Sequence, residues 1–203
     1  MLTKPLIDTL WASGYEVYDR ISPPYQKFLE SLTATYAQPR FEEVARDKNF
    51  ELHPGPRGAP ENVGTVLRAE HPVIRTNPVT GWKSVFAVGS HCQKINGLSK
   101  EESTHLLKWF VDLIVENHDL QVRFRWQNPD DLGKLISTEC SWGSHANFFP
   151  PLAIWDNRSV YHAATWDIEG QGPRSGHRVV SLGERPYFDP ESTGRREAIL
   201  GEH

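Results

Sequence analysis

The stretch AIWDNRSVYHAATWD, residues 153–167, sets His162 behind an apolar run that ends in a Trp-Asp-Asn-Arg turn. Twelve and sixteen residues further on stand Arg174 and Arg178, and the apolar run VVSL follows them. A neutral imidazole can serve as a base or a metal ligand. Guanidiniums match the planar oxyanions of carboxylates and sulfonates. HRVVSLGERPYF reads as a strand, on which a spacing of four puts both arginines on one face. Two cations turned into one cavity repel unless an anion sits beside them, so the pair predicts a site for a small organic acid. The alternative, two solvated arginines beside a loop, stands level on spacing alone. One histidine among nine carries less weight, because most imidazoles are surface groups or hydrogen-bond partners. Its place at the end of an apolar run, with the arginines trailing it, is what singles His162 out.

These side chains need a scaffold. TLWASGYEVYDRI opens as a strand and turns helical after Gly14. Ser22-Pro23-Pro24 is a helix start, with serine as N-cap and proline in the first turn. Behind it, YQKFLESLTATYA puts Phe28, Leu29 and Leu32 on one helical face. HPGPRGAPENVG, residues 53–64, lacks periodicity and reads as a loop lying over a site. Its Arg57 is either an anion contact or a solvated side chain. VIRT and WKSVFAV flank a turn of Asn77, Pro78 and Gly81 and predict a hairpin. Ser99 and Glu102 have capping-box spacing. Leu106, Leu107, Phe110, Leu113 and Ile114 then form an apolar stripe of the kind that faces a core. LQVRFRW alternates Val122, Phe124 and Trp126 with Arg123 and Arg125, as a strand does. Many short strands with packed helices predict one antiparallel sandwich or barrel.

Composition excludes several classes of partner. Twenty-two Lys and Arg against 26 Asp and Glu give a net charge of −4, which recruits neither nucleic acid nor an anionic membrane. No apolar run is long enough to span a bilayer, and MLTKPLIDTLW lacks a signal-peptide pattern. Two cysteines make no disulfide framework and fit a cytoplasmic location.

Four runs occur in one order: DTLWASGYEVYDRISPPYQKFLE (8–30), HPVIRTNPVTGWKSVF (71–86), INGLSKEES (95–103) and AIWDNRSVYHAA…PRSGHR (153–178). Together they resemble the taurine dioxygenase family of iron(II)- and 2-oxoglutarate-dependent oxygenases, in particular its fungal-type members. The resemblance implies a mainly β fold with flanking helices, the double-stranded β-helix or jelly roll. It implies a dioxygenase that consumes O2, turns 2-oxoglutarate into succinate and CO2, and hydroxylates a small anionic, sulfonate-like substrate. It assigns His162 to the distal histidine that holds Fe(II). Thr9 and Arg174 become the partners of the far carboxylate of 2-oxoglutarate, and Arg178 the residue reaching the substrate anion.

The chain departs from that pattern twice. The family holds iron through a His-x-Asp pair as well, upstream of Asp-Thr-Leu-Trp. Here no histidine is followed two positions on by an acid. The expectation is a jelly roll incomplete at the N-terminus, short of two metal ligands and impaired in catalysis. An open sheet edge would invite self-association into a homo-oligomer. The second departure is GKLISTECSWGSHANFFPPL, residues 133–152, which has neither strand nor helix periodicity. It reads as an insertion into a single partial domain spanning 1–203, and as an intron retained in frame. His145 and Glu139 within it are the candidate substitute ligands. Two other readings stay open: a non-catalytic module that binds small anions, and a truncated product without function.

Overall fold

The computed structural model describes residues 8–124, 152–165 and 178–201. In chain order the described elements are β1 (Thr9–Ser13), α1 (Gly14–Asp19), α2 (Pro23–Glu30), β2 (Thr33–Ala37) and α3 (Pro39–Lys48). The strands β3 (Arg68–Pro72), β4 (Ile74–Thr76), β5 (Lys83–Val85) and β6 (Cys92–Ile95) follow. The long helix α4 (Lys100–Val115) leads through a 3-10 turn to β7 (Gln121–Phe124); β8 (Val160–Ala164) and α5 (Arg195–Leu200) complete the set. The strands pair antiparallel in three small sheets, ordered β7-β1-β8, β3-β2-β6 and β4-β5. This is the expected scaffold of short strands with helices against them. The small sheets do not by themselves display a closed jelly roll. Among the described residues no helix is long and apolar enough to cross a membrane.

Several expected elements form for the expected reasons. The Ser99 side chain accepts from Glu102 N at 3.3 Å, and the Glu102 carboxylate accepts from Ser99 N at 2.8 Å, closing the capping box of α4. Leu106 and Phe110 of α4 are buried, with Leu107, Leu113 and Ile114 packed at the margin of the same core. Opposite them lie Val17 of α1, Leu29 of α2, Ala34 of β2 and the hairpin residues Ile74 and Val85. In the hairpin, β4 and β5 are joined through a turn in which Val79 N donates to Asn77 Oδ1 at 2.9 Å. Gly81 there has φ +71°, a left-handed conformation that disfavours a Cβ. Gly14 is required differently. Its N donates to Ser159 O at 2.7 Å, and a Cβ at this position would stand 3.0 Å from that oxygen and 3.1 Å from Tyr161 Oη.

Three expectations fail. The helix expected across YQKFLESLTATYA stops at Glu30; residues 33–37 are the central strand β2. β-branched Thr33 and Thr35 beside Tyr36 suit a pleated surface better than a helix. Leu29 is buried as expected, whereas Phe28 is exposed and Leu32 lies beyond the helix end. Thirdly, the described part of HRVVSLGERPYF, from Arg178 on, is not a strand. Residues 178–188 carry no regular secondary structure, and Val179 is 96% exposed. A described strand meets this run's backbone at one point, Thr76 N of β4 donating to Tyr187 O at 2.9 Å, and one bond with β propensity does not make it a strand.

Candidate functional site

His162 lies on β8, directly across from Trp11 of β1. Thr9, two residues before Trp11, pairs with Ala164 on one side and Phe124 on the other. Opposed residues of antiparallel strands share a face and side chains alternate along each strand, so Thr9, Trp11, Phe124 and His162 stand on one face of the sheet. An aromatic row covers that face: Phe124 to Trp11 at 6.0 Å, Trp11 to Trp155 at 5.6 Å, and Trp155 to His162 at 5.0 Å between ring centroids. Beside it, Arg178 Nη1 lies 3.4 Å from His162 Nε2. An arginine can only donate, so the imidazole accepts at Nε2 and keeps its proton on Nδ1.

Two causes hold the His162 pKa below the ordinary histidine value: desolvation first, then the Arg178 charge. The residue as a whole is exposed, but its ring rests against Trp155, which accounts for the desolvation. Thr9 is 6% exposed at the start of β1. Next to it, Asp8 Oδ2 accepts from Arg123 Nε at 2.5 Å, and Asp8 N donates to Thr165 Oγ1 at 3.0 Å, which pins the start of β1 between its neighbours.

The structure therefore brings Thr9, His162 and Arg178 to one region of the sheet. It does so without the expected strand: Arg178 reaches His162 from an irregular segment, so strand spacing does not place it. Arg174 lies outside the described residues, as do Trp126, Arg125, Glu139 and His145.

One group of residues escaped sequence reasoning. Glu184, six residues beyond Arg178, accepts from buried Arg75 Nη2 at 2.6 Å and from Arg158 Nη1 at 3.4 Å. Arg158 belongs to the Trp-Asp-Asn-Arg turn and also binds its neighbour Asp156, Nη2 to Oδ2 at 2.8 Å. That bond holds the Asp156 carboxyl down at about 2. Asn77 Nδ2 donates to the same carboxylate at 3.2 Å and to Tyr15 Oη at 2.7 Å. The polar turn before His162 was the one signal in the sequence for this network.

The loop 53–64 folds on itself. Arg57 donates to Gly64 O, and Gly64 N donates to Pro54 O at 2.7 Å, so Arg57 braces the loop instead of extending into solvent. A Cβ on Gly58 of this loop, φ +78°, would meet Leu182 at 2.9 Å. The loop thus touches the segment that carries Arg178.

Iron needs several ligands at once, because one imidazole gives little affinity for a divalent ion. Among the described residues no group of three His, Cys, Asp or Glu side chains gathers to hold a metal. His162 Nε2 already faces the Arg178 guanidinium at 3.4 Å, which disfavours a second cation there. The described residues do not fit iron by themselves.

Comparison with known proteins agrees with the fold. The chain is 60% identical over 194 residues to the alpha-ketoglutarate-dependent dioxygenase btcD of Neocamarosporium betae, covering 96% of this chain and 50% of that protein. It is 31% identical over 183 residues to an alpha-ketoglutarate-dependent sulfonate dioxygenase of Saccharomyces cerevisiae, covering 90% and 37%. The chain spans about half the length of the curated relatives it matches. The crystal structure of AAD-2 in complex with Mn(II) and N-oxalylglycine superposes with a TM-score of 0.61 at 18% identity, covering 93% of this chain and 62% of that one; this likeness shows the fold. The family model described as taurine catabolism dioxygenase TauD, TfdA family, matches residues 8–132, and the chain belongs to that family.

Proposed function

We propose that this chain carries the anion-anchoring side of a 2-oxoglutarate-dependent dioxygenase centre, built on part of a double-stranded β-helix. The meeting of His162 and Arg178 at 3.4 Å, on the face shared with Thr9, is the observation that carries the reading. In this reading the Thr9 hydroxyl and the Arg174 guanidinium donate to the far carboxylate of 2-oxoglutarate. Arg178 takes the anion of a small sulfonate-like substrate, and the aromatic row excludes water around both. The sulfonate dioxygenase named in Saccharomyces cerevisiae supports that substrate class. His162 is the imidazole offered to Fe(II), which requires that Nε2 first give up its bond from Arg178. Among the described residues it is the one ligand supplied to that metal. The whole sequence also lacks any His-x-Asp or His-x-Glu pair. The 203-residue chain should therefore bind the co-substrate and turn over poorly, in the cytoplasm, where its thiols stay reduced.

Calorimetry on the metal-free chain with 2-oxoglutarate tests the binding. Thr9→Ala and Arg174→Ala should each weaken it roughly tenfold or more, the effect of deleting one charge-assisted hydrogen bond. Full affinity in Arg174→Ala would overturn the assignment. Succinate release with Fe(II) and O2, measured beside a full-length relative, should stay near background; robust release overturns the impairment. A second reading, a metal-free anion-binding module, is favoured by the guanidinium standing against His162. Affinity for 2-oxoglutarate that is unchanged by Fe(II) selects it.

A further inference from the structure

We propose that Glu184 is a positioning residue, clamped between Arg75 and Arg158, that sets Arg178 against His162. The inference deepens the proposed reading of Arg178 and rests on it for its functional meaning. The geometry stands on its own.

Arg178 belongs to a stretch with few bonds of its own, although Leu182 within it rests against Gly58 of the loop 53–64. Among the described residues, 178–183 make no backbone hydrogen bond. The next side-chain bonds after Arg178 come at Glu184. Its carboxylate has two arms, Oε1 to Arg75 Nη2 at 2.6 Å and Oε2 to Arg158 Nη1 at 3.4 Å. Beyond it the chain is stapled to the hairpin: Thr76 N donates to Tyr187 O at 2.9 Å, Asp189 N to Thr76 Oγ1 at 3.0 Å, and Lys83 N to Thr193 O at 2.9 Å.

The two arms lead to different places. Arg75 sits at the centre of β4, its side chain 5% exposed and its guanidinium 4.9 Å above the Phe86 ring. It is a fixed post, since a buried guanidinium cannot leave its carboxylate without a large desolvation cost. Arg158 lies four residues before His162, in the turn that feeds β8, and Asp156 and Asn77 hold that turn. Glu184 therefore ties the segment bearing Arg178 to the strand bearing His162 and to the hairpin at once. A carboxylate is the group this junction needs, because one amide oxygen cannot accept from two guanidiniums with comparable strength.

The test reads the contact without metal, ligand or turnover. In the ¹⁵N-histidine-labelled chain at about pH 8, where imidazole is neutral, the His162 Nε2 resonance reports whether Arg178 donates to it. Arg178→Ala defines the position of the resonance without the contact. Glu184→Gln should move it most of the way there, and Arg158→Gln in the same direction by less. If Glu184→Gln loses its cooperative melt, Arg158→Gln carries the prediction alone. A wild-type resonance in a folded clamp variant overturns the proposal, and so does an Arg178→Ala chain that leaves the resonance unmoved. In parallel, taurine affinity should fall roughly tenfold in Glu184→Gln, as for one lost charge-assisted bond. Taurine and 2-oxoglutarate failing to bind the wild type, with the resonance shifts intact, would sink the dioxygenase reading and leave the clamp standing.

Discussion

His162 is kept neutral by its surroundings, and that has a consequence for stability. Its folded pKa lies below the ordinary value of 6.5, and His71 is shifted the same way by burial first, then by Arg185 and Arg75. A base with a depressed folded pKa takes up its proton more readily unfolded. Its contribution is complete above the unfolded value and is lost as pH falls through the folded one. Melting temperature should therefore drop as pH is lowered from about 8 to about 5, and His162→Gln together with His71→Gln should remove part of that slope. An unchanged slope in the double variant would refute the cause. The pairing of His162 with Arg178 was partly legible, since the trailing arginines pointed to it. Strand spacing does not bring it about, because Arg178 stands on no strand. Arg75 and Glu184 were illegible: they are 109 residues apart, and neither looks unusual in its local sequence.

Elements follow their local signals until packing decides otherwise. α4 was readable from its cap and stripe, and Phe110 at its centre is fully buried. Phe110→Ala should cost about 3–5 kcal/mol, measured by denaturant unfolding. Gly14→Ala should cost about 1–3 kcal/mol, because the added methyl meets Ser159 O and Tyr161 Oη across the strand-to-helix junction. A neutral Gly14→Ala would mean that this contact yields more easily than its distances suggest. β2 shows the limit of periodicity. Leu29 and Leu32 fit a helical spacing, yet the chain needs Thr33–Ala37 as the strand between β3 and β6. Only the partner strands supply the hydrogen bonds that settle this choice, and they lie far along the sequence.

For the molecule as a whole, apolar side chains left in water favour self-association. Val122, Ile154 and Val179 are 63%, 88% and 96% exposed. Sedimentation of the purified chain should show self-association that grows with concentration; a monomer at all concentrations would contradict this. If 133–152 is an insertion, deleting it should sharpen and raise the thermal transition, and spliced transcripts should lack it. Overall class was readable because ordered motifs carry it, whereas the sheet order depends on contacts between distant segments. The aromatic row gives the site one more property. Trp155 packs on His162 and Trp11 packs on Trp155, so the imidazole sits within quenching range of two coupled indoles. Protonating that ring, or seating an acid beside it, should dim the emission excited at long wavelength, and Trp155→Phe should silence the response: the protein carries its own optical gauge of occupancy.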